Sequence, residues 1–398
     1  MIQLPQRQIH LDFHTPAWAQ GVGADFDPDA FADTLAAAHV TSVTCFARCH
    51  HGLCYYPTKT HPELIHPNLA VPDLLGEQIK ACHARGIRVP AYTTVQWDQR
   101  QATDHPEWVM IDAEGAPVGG RGSLEPGFYA FLDVFHPGYR AFLEKHVADL
   151  LECRPEIDGL FFDIVQPRAS LAPHWRSAMV DAGLDPADEH ALKRFAVKVH
   201  DDWKREMSAF CRSLPQWDDD KTIFYNAGHV GPADAATDDA TTHHEIESLP
   251  GGQWGYGHFP VAHAYTRTTD KPSLAMTGRF HTSWGDFHSY RRPAALEYEC
   301  LRSAAEGAAA VSVGDQLHPS GKIDTATYDL VGGAFAKLKA AQDAIGTARR
   351  VREIALLTPE SFAGESGTGA MGGKAGEADS GAVALLASLR RQVDRVTP

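Results

Sequence analysis

Residues 156–165 read Glu-Ile-Asp-Gly-Leu-Phe-Phe-Asp-Ile-Val, an apolar strand pattern that ends in the carboxylate of Asp163. Strand interiors reject unpaired charge, so an aspartate at this position is expected at the mouth of a sheet or barrel, where catalytic residues gather. The alternative is that Asp163 caps a following helix or ties down a loop. Other features of the sequence therefore have to decide whether Asp163 is a catalytic or a structural residue.

Eight short apolar segments, most of them preceded by an amphipathic helical stretch, follow one another from residue 8 to about residue 313. Helix signals separate them: Asp27-Pro28-Asp29 opens one helix, Pro137 leads into another at 140–151, and Gly86 stops the helix before the third strand. The predicted strands are 8–14, 42–48, 88–95, 159–165, 222–227, 243–247, 273–280 and 309–314. Eight strands alternating with helices predict an α/β fold, a (β/α)₈ barrel of TIM type.

The connection between the sixth and seventh strands is the irregular part of this pattern. Its sequence from Gly251 to Gly257, Gly-Gly-Gln-Trp-Gly-Tyr-Gly, is typical of a loop and leaves too little room for an ordinary barrel helix. The aromatic residues suit a pocket lining, although a surface loop with stray aromatics is the alternative.

A second unit is expected after residue 347. A helix at 330–345 closes the barrel, and a new buried-strand pattern starts at 352–357, followed by a Gly-rich stretch at 364–381 and a helix at 382–391. One strand and one helix cannot bury a core of their own. We therefore expect residues 1–347 to form a catalytic barrel and residues 348–398 to be the start of a larger, truncated α/β domain.

The amino-acid composition limits the classes of binding partner. A formal net charge of −15 disfavours nucleic acid and acidic membrane surfaces, and no apolar run is long enough to cross a bilayer. The first residues lack the apolar stretch of a secretory signal, which predicts a cytoplasmic protein. A small neutral ligand fits this composition best.

The seven cysteines are an odd number in a large chain, so we expect reduced thiols. The run from Cys45 through Cys49, His50 and His51 to Cys54 could suggest zinc, but it lacks the paired Cys-x-x-Cys of structural zinc sites. We predict no metal and no cofactor.

Polar residues close every predicted strand, at the end of the barrel where active sites lie. This regularity is hard to explain without a polar ligand. The residues are His10, Asp12 and His14 from strand one, His50 and His51 from strand two, Gln96, Trp97 and Asp98 from strand three, Asp163 from strand four, Asn226 and His229 from strand five, Glu245 and Glu247 from strand six, Arg279, His281 and Trp284 from strand seven, and Asp315 from strand eight.

Two carboxylates about 5–5.5 Å apart are what a retaining glycosidase needs, one to attack the anomeric carbon and one to protonate the leaving oxygen. Asp163 is the candidate nucleophile. Glu245 and Glu247 point to the same side of strand six, and Glu247 lies nearer the rim, where an aglycone would leave. We favour Glu247 as the acid/base and expect the other glutamate to position its neighbours. Trp97, Trp254 and Trp284 are candidates to pack against a sugar face.

Several motifs resemble those of the retaining α-L-fucosidases. The fucosidase signature Lys-His-His-Asp-Gly-Phe is similar to Cys49-His50-His51-Gly52-Leu53-Cys54, with the Lys and Asp lost. Asp-Gly-x-Trp-Phe-Asp is similar to residues 158–163 and Ser-Trp-Gly-Tyr to residues 283–286, and further matches lie at Tyr225-Asn226 and at 312–323. The motifs keep their order from residue 8 to residue 323. The chain thus resembles glycoside hydrolase families 29 and 151, the latter with a β-galactosidase-type trimerisation domain after the barrel.

This resemblance implies an exo-acting retaining α-L-fucosidase that releases terminal L-fucose through a covalent intermediate on Asp163. It implies that His14, His50, His51 and Trp284 surround the fucose, that a glutamate of strand six is the acid/base, and that the full-length protein is a homo-oligomer, with a trimer as one candidate. With the residues at the other strand ends, the predicted substrate-binding set is His14, His50, His51, Trp97, Asn226, Trp254, Arg279 and Trp284.

Three alternatives remain open. The first is a glycosidase for another sugar, such as a β-galactoside. The second is a metal-dependent hydrolase whose ligands come from Asp12, His14, His50, His51, His243 and Asp315. The third is a barrel that binds a sugar without catalysis.

Overall fold

A computed structural model of the chain describes residues 3–120, 129–286, 288–348, 351, 353–358 and 377–396. Eight parallel strands lie in one sheet, and they are β1 (Arg7–Asp12), β2 (Ser42–Arg48), β3 (Pro90–Thr94), β4 (Gly159–Asp163), β5 (Thr222–Tyr225), β6 (His244–Glu247), β7 (Ser273–Gly278) and β8 (Ala310–Gln316). The strand order is β5-β4-β3-β2-β1-β8-β7-β6, which curls the sheet into a nearly closed barrel. The predicted (β/α)₈ barrel is confirmed, and each predicted strand differs from the observed one by at most two residues at either end.

Helices follow the strands and cover the outside of the barrel. They are α1 (Pro28–Ala37), α2 (Leu74–His83), α3 (Gln99–Asp104), α4 (Pro137–Cys153), α5 (Pro173–Asp181), α6 (Glu189–Ser213), α7 (His258–Thr266), α8 (Pro293–Ala305) and α9 (Thr325–Thr347). The predicted start of α1 is confirmed, because the Asp27 carboxylate accepts a hydrogen bond from the Ala30 amide at 3.0 Å and Pro28 occupies the first turn. Gly86 has a φ of +68°, as a residue that ends a helix requires.

The prediction for the connection between β6 and β7 was wrong. The glycine-rich stretch includes one π-helical turn, Pro250–Trp254, and is followed by α7. Every residue of α7 from Phe259 to Thr266 except Pro260 is buried, because the helix lies between the barrel and the C-terminal segment. A helix buried on both sides has no polar face, so its sequence carries no amphipathic period to recognise.

A layer of aromatic rings fills the barrel below its mouth. His10 of β1 contacts the rings of Phe46, Tyr92 and Phe161, with ring centroids 5.9, 5.7 and 5.2 Å away. Phe161 in turn stacks on Phe224 at 4.6 Å. These side chains come from alternate positions of neighbouring strands, so they form a closed floor beneath the residues at the strand ends.

The barrel wall is weakest between β5 and β6. Neighbouring strands elsewhere share continuous ladders, whereas the order of the sheet begins at β5 and ends at β6. The backbone hydrogen bonds from Thr242 to Ile223 and from Glu247 to Ala227, both 2.8 Å, bridge this seam. The seam leaves space for a cavity beside the barrel mouth.

Beyond α9 the described residues form β9 (Ile354–Leu356), α10 (Glu377–Ser388) and β10 (Val393–Arg395). β9 and β10 pair in parallel, so the prediction of a single strand in this segment missed the second one. Val383 and Val393 pack against Val261 of α7, and Arg267 forms an ion pair with Asp394. Most of the Gly-rich stretch at 364–381 lies outside the described residues. The domain boundary at residue 348 stays a prediction.

None of the helices in the described ranges combines the length and the apolar character needed to cross a membrane. All seven cysteines are free thiols.

Candidate active site

Asp163 ends β4 at the mouth of the barrel. Its carboxylate accepts a hydrogen bond from the Tyr92 hydroxyl at 2.5 Å and lies 3.6 Å from Nε2 of His50. Burial raises the pKa of Asp163 to about 6, against the opposing effect of the Tyr92 hydrogen bond. The next helix, α5, begins ten residues later, so Asp163 does not cap a helix. The carboxylate faces the barrel mouth, as the strand pattern predicts.

The backbone after Asp163 is strained. Ile164 is a buried β-branched residue with a φ of +56°, a left-handed conformation that costs an L-residue about 1–2 kcal/mol. The Gln96 amide donates to the Ile164 carbonyl at 3.1 Å, and the Gln96 side chain accepts from the Gln166 amide at 2.6 Å. These bonds hold the unfavourable turn, which redirects the chain immediately after the carboxylate.

His50 has a defined tautomer. The Thr94 hydroxyl donates to the Trp97 carbonyl at 2.6 Å, so it accepts from Nδ1 of His50 at 2.7 Å. The Nε2 lone pair of His50 is therefore directed toward the side of the pocket that holds Asp163. Burial, followed by the neighbouring His14, moves the pKa of His50 well below its ordinary value, so the ring is neutral at pH 7. It presents a hydrogen-bond acceptor to a hydroxyl in the pocket.

His14 lies parallel to His50, with ring centroids 3.9 Å apart. Its Nδ1 accepts a hydrogen bond from the His50 amide at 3.0 Å, and its Nε2 donates to the Asp12 carboxylate at 2.9 Å. Asp12 and His14 are two residues apart, so their side chains lie on the same face of the chain. Both nitrogens of His14 are thus engaged by protein groups, and the ring offers its face and edge to the pocket.

The opposite wall carries the second pair of carboxylates. Glu247, at the end of β6, accepts hydrogen bonds from Trp284 Nε1 at 2.8 Å and from the Asn226 amide side chain at 3.0 Å. Glu245 is deeper. One of its oxygens accepts from the Ala227 amide at 3.1 Å, and among the described residues the other oxygen has no hydrogen-bond partner.

The two glutamates differ in protonation. Burial raises the pKa of Glu247 to about 7, the hydrogen bonds from Asn226 and Trp284 oppose this rise, and the charge of Asp163 adds to it. Burial, then the charge of Glu247, raises the pKa of Glu245 well above its ordinary value. The charge of Asp163 contributes to the raised pKa of both glutamates, so the carboxylates of β4 and β6 lie close enough to interact. Glu247 therefore titrates near pH 7, and the pKa of Glu245 is raised by its neighbour as well as by burial.

Trp284 reaches Glu247 because β8 carries a glycine beneath the ring. A Cβ atom at Gly314 would collide with the six-membered ring of Trp284. The ring also meets the edge of His10 at 5.3 Å and Phe280 at 4.8 Å. Trp284 therefore forms a fixed wall of the pocket and orients Glu247 at the same time.

The other predicted substrate residues are more scattered. Trp97 is buried behind His50, at 5.1 Å between ring centroids, and Arg279 is buried in an ion pair with Asp315 at 2.8 Å. His51 lies beside Tyr129 at 5.9 Å, and burial lowers its pKa to about 4. Trp254 lies at the seam between β5 and β6. Of the predicted set, the structure brings His14, His50, Asn226 and Trp284 together with Asp163, Glu245 and Glu247.

The residues considered for a metal-dependent hydrolase do not form one donor set. Asp12, His14 and His50 are neighbours, but Asp315 is held by Arg279, and His243 packs on Phe224 in the barrel interior at 4.5 Å. Within the described ranges, no group of three His, Cys, Asp or Glu side chains has the arrangement of a metal site.

A cavity of about 170 Å³ opens beside Glu247 at the seam between β5 and β6. Glu245, Glu247, Trp254 and Trp284 form the wall that it shares with the active site. We refer to it as the seam cavity. It extends the active site on the side of Glu247, away from Asp163.

Sequence reasoning missed Tyr92 and Gly314. Tyr92 precedes the inward-facing Thr94 by two residues, and this period of two is a signal that could have identified it as an inward-facing residue. Gly314 belongs to a stretch that resembles the fucosidases, but its role depends on where Trp284 lies in space. No local pattern of sequence carries that information.

Comparisons with known proteins show what the chain is similar to. The family model described as "Hypothetical glycosyl hydrolase 6" matches residues 27–164, which end just after Asp163. The structure of α-L-fucosidase isoenzyme 2 from Paenibacillus thiaminolyticus is similar with a TM-score of 0.89 and 35% sequence identity, covering 99% of this chain and 58% of that one. The predicted resemblance to α-L-fucosidases is confirmed.

A more distant structure shows the same fold, and a further protein is similar in sequence over a short stretch. A cold-adapted β-galactosidase from Rahnella sp. R3 matches with a TM-score of 0.66 at 14% identity, over 98% of this chain and 64% of that one. An α-glucosidase of Mucor javanicus is 28% identical over 109 residues, 27% of this chain and 12% of that protein. The chain thus spans less than two thirds of the length of each of these proteins.

Proposed function

We propose that this chain forms the catalytic part of a retaining, exo-acting α-L-fucosidase. The observation that carries the proposal is the pair of unlike carboxylates at one barrel mouth: Asp163, with a pKa of about 6, and Glu247, with a pKa of about 7. Near neutral pH the first is mostly ionised and the second is substantially protonated, as a nucleophile and a general acid require. The choice of fucose rests on the similarity to the α-L-fucosidase at 35% identity.

In the first step, an Asp163 oxygen attacks the anomeric carbon while the bond from that carbon to the leaving oxygen breaks. Glu247 gives its proton to the leaving oxygen, so the aglycone departs as an alcohol. In the second step, Glu247 takes a proton from water, the water oxygen attacks the anomeric carbon, and the bond to Asp163 breaks. Two inversions give net retention at that carbon.

The surroundings support this division of roles. His50 presents an acceptor, and Trp284 an aromatic wall, to a sugar seated above the ring floor of His10 and Phe161. Because that floor closes the barrel, a sugar enters only by its free end, which suits cleavage of a terminal residue. Glu245 lies deeper, accepts from the Ala227 amide and from the Asn226 side chain, and so helps to position Asn226 beside Glu247.

The test is hydrolysis of an aryl α-L-fucoside with the first-formed sugar followed by proton NMR. We expect L-fucose release with the α-anomer appearing first, followed by mutarotation. A panel of other aryl glycosides, β-galactoside included, accompanies it. Release of the β-anomer first would refute retention, preference for another glycoside would refute the sugar, and sugar binding without turnover would identify a non-catalytic barrel. The cytoplasmic location and the homo-oligomer stay predictions.

A further inference from the structure

The seam cavity lies on the leaving-group side of the proposed reaction. In a retaining glycosidase the nucleophile and the acid/base flank the anomeric carbon, and the aglycone is on the side of the acid/base. Glu247 lines the seam cavity and Asp163 does not. If the proposed function holds, the group attached to fucose therefore enters this cavity.

Two cations line the cavity in a chain whose net charge is strongly negative. Arg168 places its guanidinium over the Phe131 ring at 5.0 Å, and Lys204 of α6 places its ammonium over the Tyr225 ring at 5.7 Å. No carboxylate of the described residues lies within ion-pair distance of either cation. One nitrogen of Arg168 donates to the Gln166 side chain at 3.3 Å, but its Nε is buried and has no hydrogen-bond partner in the described ranges.

The acidic groups around these cations offset them only in part. Asp234 lines the cavity and accepts the Gly231 amide at 2.8 Å, and Asp201 interacts electrostatically with Lys204. Burial raises the pKa of Asp201 to about 6, so this carboxylate carries less than a full negative charge near neutral pH. Glu245 lines the same cavity, and burial, followed by the charge of Glu247, raises the pKa of Glu245 well above its ordinary value. Within the described residues, Arg168 and Lys204 therefore line the cavity without a direct ion pair to any of these carboxylates.

We propose that the seam cavity is an aglycone subsite for an acidic group, a carboxylate or a sulfate, bound by Arg168 and Lys204. This inference rests on the proposed fucosidase function. Arg168 and Lys204 both line the cavity, and charge-assisted hydrogen bonds from such cations to an oxyanion are about twice as strong as bonds between neutral groups. The volume of about 170 Å³ is below the range of about 300–1,000 Å³ for drug-sized ligands, so it suits one ring-sized group.

The experiment compares substrates that differ only in charge: 3-carboxyphenyl, 3-carbamoylphenyl and 3-sulfophenyl α-L-fucosides. We expect the wild type to prefer the carboxylate, the sulfonate or both over the carboxamide by about tenfold or more in kcat/KM, as a charge-assisted hydrogen bond provides. The two acidic substrates distinguish a carboxylate subsite from a sulfate subsite. Equal kcat/KM for all three would overturn the proposal.

Substitutions of Arg168 and Lys204 test whether these two cations cause the preference for acidic substrates. Arg168→Gln and Lys204→Gln should each reduce the preference, and the double variant should abolish it, while the carboxamide is hydrolysed at its wild-type rate. Lys198→Gln is the matched control, because Lys198 lies on α6 but is exposed and paired with Asp202. A loss that is equal for charged and neutral substrates would assign Arg168 and Lys204 a structural role and contradict the proposal.

A binding measurement, which needs no catalysis, tests the anion site independently of the proposed fucosidase function. Calorimetric titration with 3-hydroxybenzoate and 3-hydroxybenzamide needs no catalysis. We expect binding of the benzoate alone, lost in Arg168→Gln. If no fucoside is hydrolysed but the benzoate binds in this way, the fucosidase function fails and the anion site stands. If fucosides are hydrolysed and neither compound binds, the anion site fails by itself.

Discussion

Glu245 and Glu247 lie two residues apart on one strand, and their surroundings give them different chemistry. Glu247 is half-buried at the rim and receives hydrogen bonds from Trp284 and Asn226, whereas Glu245 is 2% exposed and has one oxygen without a partner among the described residues. A proton donor has to reach the leaving oxygen, which favours Glu247.

Leaving-group dependence distinguishes the two glutamates. We expect Glu247→Gln to lower kcat by about 10²–10⁴-fold on a phenyl or sugar aglycone, because the departing alkoxide is no longer protonated. With a 2,4-dinitrophenyl leaving group, which departs without a proton, the same variant should keep most of its kcat/KM, which reports the first step, while its kcat falls because Glu247 no longer takes the proton from water in the second step. Glu245→Gln is the matched control and should affect both substrates alike. The reverse pattern would make Glu245 the acid.

The pH profile reports the two carboxyl groups of the proposed mechanism. The value of kcat/KM should rise through pH 6 as Asp163 ionises and fall through pH 7 as Glu247 loses its proton. Its pH profile should therefore be bell-shaped and narrow. Because the Tyr92 hydroxyl lowers the pKa of Asp163, Tyr92→Phe should shift only the acidic limb, to higher pH. Because Trp284 lowers the pKa of Glu247, Trp284→Phe should shift only the basic limb, also to higher pH. Both variants moving the same limb would contradict these assignments.

At the scale of elements, the positions of the strands could be predicted from the sequence, whereas the contacts between elements could not. The apolar runs of β2 and β4 and the caps of α1 follow from local chemistry, so their prediction was accurate. The helix α7 was missed because burial on two sides removes its polar face, and β10 was missed because its three residues pair only with β9. Tyr92 and Gly314 act through partners distant in sequence, so local patterns cannot assign their roles.

Two glycines test how closely the elements pack. A Cβ atom at Gly159 would collide with the backbone and side chain of Thr222 across the β4–β5 ladder, so Gly159→Ala should lower the free energy of unfolding by at least about 2 kcal/mol. Gly333 of α9 is exposed, and an added methyl group would meet no neighbouring atom, so Gly333→Ala should raise the free energy of unfolding by about 0.5–1 kcal/mol. Denaturant unfolding measures both. A neutral Gly159→Ala would show that β4 and β5 are not held this tightly.

At the scale of the whole molecule, the barrel has a large continuous core, whereas the segment from β9 to β10 is attached through a small one. Among the described residues, that attachment includes three buried valines, the partly buried Ile354, Leu356 and Leu386, and the ion pair between Arg267 and Asp394. Local opening costs less where few apolar contacts are broken. The C-terminal segment should therefore open before the barrel strands do.

Hydrogen exchange followed by mass spectrometry measures this order of opening. Asp394→Asn removes a charge that is buried against Arg267, and it should lower the opening free energy of the C-terminal segment by about 1–3 kcal/mol while the barrel strands stay protected. Glu353→Gln is the control, because its pair with Arg391 is solvent-exposed and its loss should cause no measurable change. Equal loss of protection in the barrel would show that the two parts unfold as one unit.

The central claim is that Asp163 is the nucleophile and Glu247 the acid/base on opposite sides of one anomeric carbon. The most direct measurement is the anomer formed when azide rescues each carboxylate-deletion variant on an activated aryl α-L-fucoside. Asp163→Gly should yield β-L-fucosyl azide, because azide enters from the face that the aspartate occupied, and Glu247→Gly should yield the α-azide from the glycosyl-enzyme. An Asp163→Gly variant with undiminished turnover, or the two anomers exchanged between the variants, would contradict the account.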